Sequence, residues 1–246
     1  MNSLDRQRRL ARTGGVTALV LAAVFFLSIV LLPGGVLHGD TDSRSALTFA
    51  ATHGTAVKLL GFSDGMINTL LGVLIVLLIA IAESDGVLAR IAYVSAGAAA
   101  AIQWTHAGLL YGLAELAHRG GADAGVLALF TLGSTMDDAD GIVIPVAMAC
   151  AGWLLLRSGR IPAVLAWLTL AVAALGAALS VVVALSGPDL GPVAVISSWI
   201  WLLGIGLPLA TRPVWSRKSV AGPRRLFERW PSDASRLARV ASQIVV

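Results

Sequence analysis

The chain has 246 residues and a formal net charge of +4; 57% of its residues are hydrophobic and 13% are charged. A soluble domain carries roughly 25% charged and about 45–50% apolar residues, so this sequence lacks the polar surface that a water-soluble globule needs. Its apolar runs of about 17–25 residues match the length that crosses a hydrocarbon core of roughly 30 Å, where helices satisfy their own backbone. The composition predicts an all-α, polytopic transmembrane helix bundle of about six spans in contact with the lipid bilayer. A transmembrane β-barrel, built from short alternating segments, is excluded. A single cysteine, Cys150, excludes an intramolecular disulfide and any cysteine-based metal cluster. The basic residues flank the apolar runs without a nucleic-acid-binding signature, so nucleic acid is not an expected partner.

In chain order, residues 1–12 form a basic N-terminus with Arg6, Arg8, Arg9 and Arg12. The first span is expected near residues 16–32. It is long for the apolar stretch of a signal peptide, and PGGVLHGD after it offers no small-x-small cleavage site, so it reads as an uncleaved helix. Residues 33–64 are polar, and SALTFAATHGTAVKLLGF within them predicts a short amphipathic helix at the membrane interface, interrupted at Gly54. Spans expected near 65–82, 91–117, 141–156, 162–187 and 192–210 complete a bundle over residues 13–211. Asp64 reads as the N-cap of the second span, and Pro162 suits the first turn of the fifth. The thirteen residues AGVLALFTLGSTM are too short to cross; they read as an interfacial or re-entrant helix leading into an acidic turn at Asp137, Asp138 and Asp140. Residues 212–246 form a basic tail that ordinary anchoring by positive charge explains, with a partner protein or the anionic cytoplasmic leaflet as the alternative contacts.

With the N-terminus inside, the cytoplasmic side holds fifteen Lys and Arg residues and the outside only Arg44, Lys58 and Arg119. That asymmetry satisfies the positive-inside rule. It requires an even number of spans and puts both termini in the cytoplasm.

The segments RRLARTGGVTALVLA and LLLRSGRIPAVLAWLTLAVAALG, set in six spans, resemble the bacterial membrane-protein family catalogued as the domain of unknown function DUF 4386. The likeness is best over residues 6–32 and 141–180. It implies a six-span bundle in the bacterial cytoplasmic (inner) membrane and transfers no catalytic residue.

Chemistry concentrates on the third span. At 100° per residue Trp104, Tyr111, Glu115 and His118 form one stripe, with Gln103 beside it and His106 on the adjoining edge. Ala98, Ile102, Leu109, Gly112 and Leu116 make the opposite face apolar or small, so one side faces lipid and the other the bundle. Gln103 and His106 fall near mid-membrane. Polar residues at that depth either join helices by hydrogen bonds or serve function. Gln103, His106, Tyr111 and Glu115 are the candidates for a ligand or proton pathway. A divalent-metal site built from His118, Asp137 and Asp138 is the second candidate, against the plainer reading of a solvated acidic turn; no other cofactor is expected. A facing histidine pair for haem, a buried lysine in a span, GxSxG, Walker and Rossmann fingerprints are all missing from the sequence. The first-ranked function is a bundle whose outward-facing polar cavity binds or conducts a small molecule, lipid headgroup or proton. A non-enzymatic scaffold or regulatory subunit acting through the basic tail ranks second, and a membrane-embedded metal-dependent enzyme third.

Overall fold

The computed structural model describes residues 3–31, 43–120, 123–186 and 191–211. Residues 32–42 and the basic tail at 212–246 lie outside the described residues, as do the side chains of Asp137 and Asp138. Among the described residues the chain forms seven helices: α1 Ser3–Leu31, α2 Ser43–Thr52, α3 Gly54–Ala82, α4 Val87–His118, α5 Asp123–Ser158, α6 Ala163–Ser186 and α7 Gly191–Thr211. All but α2 are long and apolar enough to cross a membrane. The expected all-α bundle with six spans is what the chain forms, and it is a multi-pass membrane protein.

Short connections make sequence neighbours into antiparallel partners. Around the bundle the long helices follow chain order, α1, α3, α4, α5, α6 and α7; α7 returns to pack along α1, and α3 meets α5 across the ring. Ring closure depends on close backbone approach. A Cβ on Gly15 of α1 would lie 2.3 Å from the backbone nitrogen of Ala210 in α7, and one on Gly61 of α3 would lie 3.0 Å from Cα of Ala107 in α4. Small residues at crossings are the usual way lipid-embedded helices gain packing contacts.

One end of the bundle, here the basic end, gathers Arg6, Arg8, Arg9, Arg12, Arg90, Arg157 and Arg160. There Glu83 terminates α3 in the left-handed region, with φ 49°. Its carboxylate accepts a 2.8 Å hydrogen bond from Gln7 Nε2 of α1 and pairs with Arg160 of the α5–α6 turn. That turn closes through Gly159 at φ 59°, and Pro162 sits just ahead of α6 as the sequence suggests.

Three local expectations are corrected. α3 starts at Gly54 rather than near residue 65, so Lys58 and Asp64 are helical and Asp64 is not an N-cap. The helix keeps its polar first turns because Lys58 finds an acid on α4 and Ser63 Oγ returns its proton to the Leu60 carbonyl at 2.8 Å. Residues 124–140 are neither a re-entrant segment nor an acidic turn: α5 is continuous over 36 residues. Ser134 and Thr135 donate back to the carbonyls of Phe130 and Thr131 at 3.1 and 2.9 Å, and Asp140 has a partner on another helix. Finally, α2 does more than lie at an interface. Ala50 is fully buried, and Leu47 and Phe49 pack with it over the ends of α3, α4 and α5.

Apolar packing falls into two cores. The larger draws on all six long helices toward the basic end, including Leu21, Ile75, Ala92, Leu155, Ala166 and Trp201. The smaller, at the far end, joins Ala50, Val57, Leu110, Leu113 and Ala114. Gly15→Ala should force α1 away from α7, because the added methyl overlaps backbone and not a movable side chain. Overpacking of this kind costs about 1–3 kcal/mol. Thermal unfolding of the detergent-purified variant should show a lowered midpoint, with Gly86→Ala, where a Cβ meets nothing within 4 Å, as the unaffected comparison.

Candidate functional site

Between the two cores lies a polar layer. Asn68, Gln103 and Asp140 occupy the midpoints of α3 (54–82), α4 (87–118) and α5 (123–158), and they are 8%, 3% and 6% exposed. The contacts that align the helices put them at one level. Gly61 and Gly65 of α3 face Ala107 and Trp104 of α4, while Gly133 of α5 faces His106.

Hydrogen bonds run across the layer. Gln103 Nε2 donates to Asp140 Oδ2 at 3.0 Å, and Gln103 Oε1 lies 3.3 Å from His106 Nδ1. With the amide N–H committed to a carboxylate, Oε1 can only accept, so His106 Nδ1 carries the hydrogen. The other edge of the imidazole faces Gly133, where a Cβ would approach His106 Cδ2 to 3.3 Å. A single amide thus joins a carboxylate to an imidazole, two groups that exchange protons readily. On α3, Asn68 Nδ2 donates to the Asp64 carbonyl at 3.2 Å.

The backbone beside Asp140 is unusual too. Pro145 lies inside α5, and without an N–H it leaves the carbonyl four residues earlier, that of Gly141, without its helical donor. Ser180 Oγ of α6 supplies the missing hydrogen bond at 2.7 Å. A Cβ on Gly141 would stand 2.7 Å from that same oxygen, so glycine is required for the repair. Hydroxyl rescue of this sort is how spanning helices tolerate proline.

The other sequence candidates sit elsewhere. Glu115 pairs with Lys58 of α3 and lies 3.6 Å from Arg119; the Lys58 ammonium stands 4.3 Å from the Tyr111 ring centroid. This cluster occupies the far end, well removed from Gln103 and His106, so the four pathway candidates form two groups. The stripe of Trp104, Tyr111, Glu115 and His118 is not the bundle face of α4: Tyr111 is 53% exposed, and the buried residues include Ala92, Ala96, Ala99, Gln103, Leu110 and Leu113. Trp104 covers Gly65 and donates to Thr69 Oγ1 at 3.0 Å. His118 is exposed at the end of α4. By the α4–α5 alignment it is some fourteen residues, roughly 21 Å at about 1.5 Å per residue, from the level of Asp137 and Asp138. The fold does not bring that trio together as metal ligands. Among the described residues no three His, Cys, Asp or Glu side chains gather as a metal site.

Sequence reading picked out Gln103 and His106 but missed Asn68 and placed Asp140 in a loop. The available signal was Asp140 itself: five residues ahead of Pro145 and directly before the apolar run that opens at Gly141, it is as readily helical as loop. No protein-family model, curated protein or solved structure matches the chain.

A double-mutant cycle with Gln103→Leu and Asp140→Leu should return a coupling of about 0.6–1.7 kcal/mol, the range of hydrogen bonds between spans. The readout is reversible unfolding in mixed micelles. Additive single-variant effects would mean the two side chains do not interact.

Proposed function

We propose that this chain is a non-enzymatic protein of the bacterial cytoplasmic membrane, both termini inside, that binds and passes a proton or another small polar species. Asn68, Gln103, His106 and Asp140 form its site. The observation that carries the reading is Asp140: a carboxyl group 6% exposed at the midpoint of a spanning helix and linked through Gln103 to His106. A charged side chain at the centre of a span costs about 2.5–3.5 kcal/mol on insertion scales, and such residues are functional candidates by default. Protonation removes the charge, so a buried carboxyl is a natural place for a proton to reside. His106, on the other side of Gln103, is the neighbouring group that can both donate and accept a proton.

Orientation is argued from charge. The seven arginines of the basic end in α1, α4, α5 and the α5–α6 turn lie on the side where the tail adds more, and the far end has only Arg44, Lys58 and Arg119. Kinship with the DUF 4386 family belongs to the same proposal. The two segments that carry the likeness are α1 and the α5–α6 turn with its flanking helices.

In proteoliposomes given an acid-outside pulse, the wild-type protein should acidify the lumen. Asp140→Asn should cut the rate at least tenfold, while Thr135→Val, on the exposed side of α5, should not. Wild-type flux through folded Asp140→Asn protein would sink the reading. Topology has its own check in a Cys150→Ala background: a membrane-impermeant maleimide should label Arg119→Cys in intact cells and leave Ser84→Cys unlabelled.

A further inference from the structure

The Asp140–Gln103–His106 chain uses α4 and α5, yet α3 brings its own buried amide to the same level. Asn68 Nδ2 is satisfied by the Asp64 carbonyl. Its Oδ1 is fully buried and accepts no hydrogen bond among the described residues. Turning the amide over would set an oxygen against the Asp64 carbonyl and bury two idle N–H groups, so the oxygen assignment follows from the bonding. Asn68 stands on the inner side of α3. Gly61 and Gly65, on adjacent rows, are covered by α4; Leu77 and Ile81 on the other side meet Gly14 of α1; and α3 reaches α5 across the ring. A buried acceptor without a donor is rare and costly in a folded protein, and within a bilayer no bulk water relieves it.

We infer that Asn68 Oδ1 and the Asp140 carboxylate are oxygen ligands of one small hard cation, sodium, bound in the layer between the two cores. Carboxylate and amide oxygens are the ligands that hard cations select, and the Asn68 amide oxygen is one that the Asp140–Gln103–His106 chain leaves unused. The inference rests on the reading of this layer as the protein's site.

The test uses the full chain in detergent, with sodium chloride replacing choline chloride at constant ionic strength. Thermal unfolding should show a saturable rise in midpoint with sodium. Binding of radioactive sodium should weaken at least tenfold in Asn68→Leu and in Asp140→Asn. No difference between sodium and choline in the wild-type protein overturns the inference, as does unaltered sodium binding by folded Asn68→Leu or a response to calcium alone. If Asn68→Leu does not fold, the wild-type comparison decides. Absent sodium binding together with lost proton uptake in Asp140→Asn overturns this inference and leaves the proton reading standing. Sodium binding together with wild-type proton uptake in Asp140→Asn does the reverse.

Discussion

A carboxyl group in the middle of a helix bundle cannot be left to lipid. Asp140 has to be met by donors from other helices or neutralised, and Gln103 is the donor this fold provides. That pairing constrains much else. It ties α4 to α5 at their midpoints, in the alignment that sets His106 against Gly133 and Gly112 against Leu129. It also divides the apolar interior, since neither core can extend through a level where three helices present polar side chains. An interior of this kind gives up some packing to hold its polar groups in place. Buried polar networks repay that loss only when their members are satisfied.

Elsewhere the bundle uses polar atoms sparingly and locally. Trp201 Nε1 donates to Thr169 Oγ1 at 3.0 Å between α7 and α6, both residues fully enclosed. Trp104 and Thr69 make the same kind of bond between α4 and α3. In each the threonine sits on the neighbouring helix and the indole covers apolar surface around it, so one hydrogen bond fixes the rotation of a helix that apolar contacts alone leave loosely defined. The Ser180 bond to Gly141 differs in purpose: it repairs a backbone that Pro145 has interrupted. The repair lies next to Asp140, so the least regular stretch of α5 is also the stretch that carries the carboxylate.

How far the sequence foretells this follows from what each signal measures. Hydropathy measures the solvent a segment prefers, and it located six spans because each long helix is apolar over most of its length. It misjudged α3 and α5 where polar residues sit inside helices. Lys58 looks like part of an interfacial helix and Asp140 like a turn residue until Glu115 and Gln103, distant in sequence, are known to reach them. Helical periodicity on α4 found the polar residues but did not settle which face meets the bundle. The buried face there is mostly alanine, which carries almost no hydrophobic contrast, while Tyr111 and Trp104 are large enough to dominate any face on which they fall. Gln103 and His106 were legible as deep polar residues. Asn68 was not, because its importance comes from the level it shares with two other helices.

The two ends of the bundle are closed in different ways, and the difference bears on how anything reaches the layer. At the basic end all six long helices contribute to the core, and Glu83 ties α1 to the turns on either side of the ring. An open cleft of about 270 Å³ lined by Arg6, Gln7, Leu10, Ala80, Glu83, Ser84 and Asp85 lies outside that core and stops at it. At the far end the apolar cover is α2 with short stretches of α3, α4 and α5, braced by the Lys58–Glu115 pair between adjacent helices. Opening costs scale with the apolar area that must be exposed. Displacing a ten-residue helix that buries one small face therefore costs far less than parting six long helices. The polar layer is equidistant from both ends along α4, so exposing it by displacing α2 costs less than parting the six helices of the larger core.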